Sequence, residues 1–168
     1  MSHPPRLKNF SYVGRHQYFL TFCTHEAQPL FAESSNVDLV RDQLVRTAAE
    51  HGVAVHAYCF MKEHVHALLA GLEDTTDLRA FMNTFKQRSG WAFKRDRRGR
   101  LWQGSYYDHV LREEEGTAGV LAYIVNNPVS AGLVVGPLEY PYWGSLTHTR
   151  EEIVALITGV AEWKPGSP

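Results

Sequence analysis

Two strand-like segments separated by only two residues constrain the fold of this chain most strongly. Residues 53–61 (VAVHAYCFM) and 64–70 (HVHALLA) are rich in β-branched and apolar side chains, a composition typical of strands. The connection Lys62-Glu63 is short enough for a tight turn, although it lacks the Asn-Gly pair that is common in such turns. We therefore predict a β-hairpin, and with it an antiparallel sheet.

The other predicted elements follow a definite order around this hairpin. Two further strands are predicted at 18–24 and 106–112 from their aromatic and β-branched content. The spacing of apolar residues predicts four helices, at 37–51, 75–95, 113–126 and 151–160. Pro128 is predicted to end the third helix. The order β-α-β-β-α-β-α predicts an α+β fold, a ferredoxin-like sandwich with a central antiparallel sheet and helices on one face.

Length and composition fit one folded domain. The 168 residues are 44% hydrophobic and 21% charged, which excludes a wholly disordered chain. We predict a single domain over 1–168, with an N-terminal arm at about 1–15 and a C-terminal tail at about 161–168. No window reaches the roughly 18 apolar residues of a membrane span, and the start lacks the apolar core of a signal peptide. Cys23 and Cys59 lie in apolar runs and are predicted to be reduced thiols, so we expect a cytoplasmic protein.

One basic segment contrasts with the net charge of −1. Residues 86–100 (KQRSGWAFKRDRRGR) contain seven of the 17 Lys and Arg residues and a single acid. Trp91, Phe93 and Trp102 lie within or beside this segment, and aromatic rings next to cations suit unpaired bases. Because attraction to phosphates depends on the local field, the segment indicates a nucleic-acid surface. The alternative is a solvated helix face.

Two histidines on the predicted third strand are candidates for a metal site. His64 and His66 are two residues apart, so both imidazoles leave the same face of a strand. Two converging imidazoles can hold a divalent cation, but the pair alone is incomplete and needs another ligand. The alternative is a pair of surface histidines on a half-exposed strand.

The predicted third helix offers such a ligand together with a nucleophile. Tyr123 and Asn127 are four residues apart and share a helix face, and an amide carbonyl is a suitable oxygen ligand. The spacing alone does not favour Tyr123 over Tyr106 or Tyr107. Tyr123 also fits a core position, and Asn127 also fits a helix terminator before Pro128.

Three spaced motifs add a family resemblance to this pattern. The segments CFMKEHVHALLAG, LWQGSYYDHVLREEEG and LAYIVNNPVSAGLV, in this order, resemble the REP-associated tyrosine transposases, which are single-tyrosine transposases of the HUH endonuclease superfamily. The resemblance runs from about Tyr18 to Leu146 and implies the fold of that superfamily. One departure is visible, because the family usually has Pro-Asn before His-Val-His and this chain has Lys62-Glu63.

The resemblance implies an enzyme that cuts and rejoins single-stranded DNA beside hairpin elements. Tyr123 is the implied nucleophile and would form a covalent 5′-phosphotyrosine. His64, His66 and Asn127 are the implied ligands of a divalent metal, Mg²⁺ or Mn²⁺. The implied DNA-binding residues are the seven cations of the basic segment: Lys86, Arg88, Lys94, Arg95, Arg97, Arg98 and Arg100. A monomer is expected, with a homodimer as the alternative.

Two other functions stay open at the level of the sequence. One is a non-catalytic module that recognises DNA hairpins without cutting them. The other is a metal-dependent hydrolase in which the two histidines activate water and Tyr123 is structural. Asp108 and His109 are open in the same way, because they suit either an orienting role in an active site or ordinary structural hydrogen bonds.

Overall fold

A five-stranded antiparallel sheet organises the fold. The computed structural model describes residues 10–97, 99–112 and 115–165. The strands are β1 (Gln17–Cys23), β2 (Val53–Phe60), β3 (His64–Gly71), β4 (Tyr107–Val110) and β5 (Trp143–Gly144). Their spatial order is β4-β1-β3-β2-β5, and every neighbouring pair is antiparallel. The predicted hairpin is confirmed as the β2–β3 pair.

Helices cover both faces of the sheet. The helices are α1 (Ser34–His51), α2 (Leu78–Arg97), α3 (Thr117–Ser130) and α4 (Arg150–Ile157). The helices α1 and α2 pack on one face, against Leu20, Phe22 and Val65, whereas α3 and α4 pack on the other, against Phe19 and Leu68. The predicted α+β class with a central antiparallel sheet is confirmed, but the prediction that the helices lie on one face is wrong. Successive residues of the central strands are apolar, so both faces of the sheet require cover.

The boundaries of α2 and α3 differ from the predicted ones for local reasons. The carboxylate of Asp77 accepts hydrogen bonds from the backbone N–H groups of Arg79 and Ala80, and this cap starts α2 later than predicted. Helix α3 begins after Gly116 and continues past Pro128. The prediction that Pro128 ends this helix is wrong. The proline lies in the last turn, where the carbonyls of residues 127–129 accept bonds from the N–H groups of residues 131–133.

The described parts of both chain ends pack on the sheet and its helices. Tyr12 is buried, stacks on Tyr18 and donates a hydrogen bond to Asp108. Trp163 packs on the α3 face of the sheet, where it contacts Phe19. The predicted division into one domain with an arm and a tail stays a prediction. Across the described ranges, no helix combines the length and hydropathy needed to cross a membrane.

Candidate active site

The start of β3 brings His64 and His66 together on the α3 face of the sheet. Their Nε2 atoms are 3.1 Å apart, and the side chain of Val65 between them points into the opposite core. His66 is 6% exposed and stacks on Phe19, whereas His64 is half-buried. The predicted same-face pair is therefore present as a buried, converging arrangement.

Two neighbouring side chains orient the imidazoles. The Nδ1–H of His64 donates to Oε1 of Glu63 at 3.1 Å, because a carboxylate only accepts. The Nδ1 of His66 lies 2.9 Å from the hydroxyl oxygen of Thr21 on the adjacent strand. The Nδ1 atom of each histidine thus has a hydrogen-bond partner, and the two Nε2 atoms face one another. Partners of this kind fix ring orientation in histidine metal sites.

Burial keeps both rings neutral near pH 7. Burial, together with the neighbouring His64, lowers the pKa of His66 to about 3. Burial also lowers the pKa of His64, although the carboxylate of Glu63 opposes this shift. Neutral imidazole is the form that binds metals.

The spacing of the two histidines fits one divalent cation. Two ligands at right angles, each about 2.1 Å from a cation, lie roughly 3 Å apart, close to the observed separation of the Nε2 atoms. Within the described residues, no group of three or more His, Cys, Asp and Glu side chains completes such a site. Among the described residues, a further protein ligand would therefore be of another kind, such as an amide oxygen.

Helix α3 places Tyr123 beside this histidine pair. The Tyr123 and His66 ring centroids are 5.5 Å apart, and Asn127 lies one helical turn further along α3. Burial raises the pKa of Tyr123, hydrogen bonding with the Asn127 side chain lowers it, and the charge of Glu162 raises it. By contrast, Tyr106 packs against Phe22 in the core on the other face. Tyr107 lies on the α3 face as Tyr123 does, with its ring centroid 6.0 Å from that of Phe19, so the geometry favours Tyr123 over Tyr106 but does not separate it from Tyr107.

Comparison with known proteins fits this geometry. The family model described as "Transposase IS200 like" matches residues 12–127, a range that includes both histidines, Tyr123 and Asn127. The chain belongs to the IS200-like transposase family. The predicted resemblance to a family of DNA transposases is thereby confirmed.

Individual relatives of the transposase are distant. Two Haemophilus influenzae proteins match this chain. An uncharacterized protein is 25% identical, and the match covers 74% of this chain and 86% of the relative. A protein whose name places it among the REP-associated tyrosine transposases is 24% identical, and the match covers 81% of this chain and 83% of the relative. A solved structure of a REP-associated tyrosine transposase bound to a REP hairpin matches with a TM-score of 0.68 at 19% identity, covering 85% of this chain and 82% of that one. A solved Deinococcus radiodurans protein described as a transposase matches with a TM-score of 0.52 at 23% identity, covering 63% and 86%. The two structural matches show a shared fold.

A cluster that the sequence did not reveal packs beside Tyr123. Trp163 contacts the ring of Tyr123 and donates its indole N–H to Glu115, which also accepts from His109. Gly119 permits this packing, because a Cβ there would lie 3.2 Å from the carbonyl oxygen of residue 161. His109 therefore has a structural partner in Glu115. The only signal for the cluster was an isolated tryptophan after the last helix.

The described basic residues of the segment 86–100 fall into three groups in the transposase. Arg88 and Arg97 face α1: Arg88 pairs with Glu50 at 2.5 Å, and Arg97 donates to Asn36 and Ser35. Arg95 pairs with Asp96 and covers the ring of Trp91. Three others line a cavity beside α2: Lys86, Lys94 and Arg100. Arg98, the seventh predicted DNA-binding residue, lies outside the described residues.

Proposed function

We propose that this transposase cleaves and rejoins single-stranded DNA beside a hairpin through a covalent 5′-phosphotyrosine on Tyr123. The observation that carries the proposal is the position of Tyr123, whose ring centroid is 5.5 Å from that of His66 and which shares a face of α3 with Asn127. Membership of the IS200-like transposase family supports DNA as the substrate. A hairpin is supported by the structural relative, which is bound to a REP hairpin.

His64, His66 and Asn127 are the proposed ligands of Mg²⁺ or Mn²⁺. An amide offers both a donor and an acceptor, so an Asn127 N–H that stabilises the Tyr123 phenolate would leave the Asn127 carbonyl oxygen for a cation. Manganese accepts mixed nitrogen and oxygen ligands more readily than magnesium does. When bound, the cation supplies positive charge that stabilises negative charge on the phosphate oxygens.

The tyrosine oxygen attacks the scissile phosphorus in this proposal. The bond between the Tyr123 oxygen and phosphorus forms, the bond between phosphorus and the 3′ oxygen breaks, and the 3′ oxygen leaves with a proton as a hydroxyl. Because burial raises the pKa of Tyr123, the neutral phenol prevails at pH 7, and the Asn127 N–H helps to stabilise the phenolate. The covalent link conserves the phosphodiester, so the reverse attack by a 3′ hydroxyl reseals a strand.

Tyr123→Phe separates this mechanism from hydrolysis and from non-catalytic binding. We expect wild type to cleave a hairpin with a single-stranded flank in Mn²⁺ and Tyr123→Phe to lose cleavage. Tyr106→Phe is the matched control and should cleave normally, since Tyr106 packs in the opposite core. Cleavage that survives in Tyr123→Phe would favour the water-activating hydrolase. Binding without any cleavage by wild type would favour the hairpin-recognition module.

The proposed assembly is a monomer, since Tyr123 lies beside histidines of its own chain. A homodimer that exchanges α3 between subunits is the alternative. The seven predicted DNA-binding cations remain part of the proposal, with Lys86, Lys94 and Arg100 best placed because they line one cavity. A cytoplasmic location also stays a prediction.

A further inference from the structure

A basic cavity lies between α2 and the segment of residues 99–104. Its volume of about 610 Å³ is within the range of sites that hold a small-molecule ligand. The described lining includes three cations, Lys86, Lys94 and Arg100, and none of the described lining residues is acidic. We call this cavity, together with Trp91, which lies one helical turn from the lining residue Gln87, the α2 groove. Its charge suits an anionic ligand.

Hydrogen bonds hold the outer wall of the α2 groove in place. The ammonium of Lys86 donates to the carbonyls of Gln103 and Gly104, at 2.9 and 3.4 Å. One of the five N–H groups of Arg100 donates to the Trp102 carbonyl at 3.1 Å. Trp102 itself is buried and donates to Ser89, so its role is packing. These bonds fix positive charge on both sides of a preformed groove.

Trp91 is the exposed aromatic residue of the α2 groove. It is 63% exposed, whereas Trp102 and Trp143 are 5% and 2% exposed. Helical spacing places it one turn from Gln87 and beside Lys94, both of which line the groove. The guanidinium of Arg95 lies 5.1 Å from the centre of its ring. An exposed aromatic ring among cations is the arrangement on which unpaired bases stack in single-strand binding proteins.

The α2 groove lies close to the histidine pair, although it opens on the other side of the sheet. Thr24, which follows β1, pairs with Trp102 on one side and donates its N–H to the carbonyl of Glu63 on the other, at 2.9 Å. Neighbouring strands are about 4.8 Å apart, so the wall of the groove lies roughly 10 Å from the backbone at His64. A DNA strand that leaves the histidine pair over this end of the sheet therefore reaches the groove within a short distance.

We infer that the α2 groove is a subsite for an unpaired nucleotide of the single-stranded DNA beside the cleavage site. The base stacks on Trp91, and the adjoining phosphate contacts Lys94 and Arg100. The inference rests on the proposed function for the identity of the substrate. It assigns the α2 groove to the single-stranded flank and not to the duplex stem of the hairpin.

Metal-free binding of two fluorescent probes tests this assignment by anisotropy. One kind of probe is a blunt hairpin. The other has the same stem with an oligothymidine flank, and it is made in two versions, with the flank at the 5′ end or at the 3′ end of the stem. We expect Trp91→Ala and Lys94→Ala each to lower the affinity for one of the two flanked hairpins about tenfold. The affinity for the blunt hairpin should stay unchanged. Lys94→Ala should also make the slope of log K against log salt shallower by about 0.7 for the flanked probe. Arg15→Ala is the matched control, because it removes one exposed cation beyond the opposite end of β1.

Two results would overturn the inference. Equal weakening of blunt and flanked hairpins would assign the α2 groove to the stem, and unchanged binding of both probes would leave it without a role in DNA binding. A covalent-adduct assay, run in parallel, separates this outcome from failure of the proposed function: wild type is incubated with the flanked hairpin and Mn²⁺, and DNA that stays attached to the protein in SDS is measured. Wild type without an adduct contradicts the mechanism alone, whereas a normal adduct with unaffected binding by both variants contradicts the groove alone.

Discussion

Glu63 shows how one side chain can adjust the candidate metal site. Its carboxylate accepts from the Nδ1–H of His64 and thereby leaves the Nε2 lone pair directed toward His66. In the resembled family the turn usually has Pro-Asn, so this chain has gained a negative charge at the position that touches the first histidine. A carboxylate partner raises the basicity of a ligating imidazole.

Replacing Glu63 is therefore expected to weaken metal binding before it affects folding. Glu63→Gln should lower the affinity for Mn²⁺ about tenfold, measured by isothermal titration calorimetry without DNA. Glu73→Gln, an exposed glutamate beyond the far end of β3, is the control and should bind as wild type does. Equal affinities for all three proteins would show that Glu63 does not support the site.

The buried His66 predicts a specific dependence of stability on pH. Its folded pKa of about 3 lies below the value near 6.5 of the unfolded chain, so only the unfolded state takes up the proton between these values. The free energy of unfolding should thus be greatest above about pH 6.5 and fall as the pH drops toward 3. The contribution of His66 is at most about 1.4 kcal/mol per pH unit.

Urea unfolding in EDTA at pH 7 and pH 5 measures this contribution. The loss of stability should be smaller for His66→Leu than for wild type, while His16→Leu, at an exposed position before β1, should behave as wild type does. If wild type and His66→Leu lose equal stability between the two pH values, His66 is not buried in its neutral form.

At the scale of elements, the sequence was most informative where one element determines its own geometry. The i, i+2 spacing of His64 and His66 predicts a shared face once β3 is recognised, and the short turn predicts the β2–β3 pair. The two-residue strand β5 has too little sequence to show a period, and its pairing with β2 depends on the packing of the chain around it.

Relations between elements were beyond the reach of local patterns. The approach of Tyr123 to His66 depends on which face of the sheet α3 covers, and only the family resemblance indicated it. Trp163 and its partner Glu115 are 48 residues apart in the sequence, and no periodic pattern of residues predicts a contact over such a separation. Apolar residues on both faces of the central strands did carry the correct signal, namely that helices cover both sides.

The basic segment provides a prediction that separates structure from binding within one helix. From the sequence, Arg97 and Lys94 are both predicted to bind DNA. In the structure, however, Arg97 donates hydrogen bonds to the buried Asn36 and to Ser35 on α1. Arg97→Ala should lower the free energy of unfolding by roughly 1 kcal/mol, because the Asn36 oxygen loses its donor. Its affinity for DNA should change less than that of Lys94→Ala.

Urea unfolding and anisotropy on the same preparations check both parts of this prediction. If Arg97→Ala unfolds at the same urea concentration as wild type and loses as much DNA affinity as Lys94→Ala, Arg97 contacts DNA and the prediction is wrong.

At the scale of the whole molecule, the sheet separates the proposed active site from the proposed single-strand subsite, and the two meet near one end of the sheet. The histidine pair and Tyr123 lie on the α3 side, and the α2 groove lies on the other, while the end of β1 connects them through Thr24. A single chain therefore contains the complete set of proposed catalytic side chains.

This arrangement predicts catalysis within one subunit. Tyr123→Phe and a double variant, His64→Ala with His66→Ala, should each be inactive, and mixing them should restore no cleavage. Recovery of cleavage in the mixture, measured on a labelled hairpin with a single-stranded flank, would instead demonstrate exchange of α3 between subunits.

The most direct measurement of the central claim is the mass of the DNA-linked peptide. After incubation of wild type with a flanked hairpin and Mn²⁺, protein denatured in SDS should retain DNA, and proteolysis should yield one nucleotide-modified peptide that contains Tyr123. Modification of a different residue, or cleaved DNA with no attached peptide, would contradict the proposal that Tyr123 is the nucleophile.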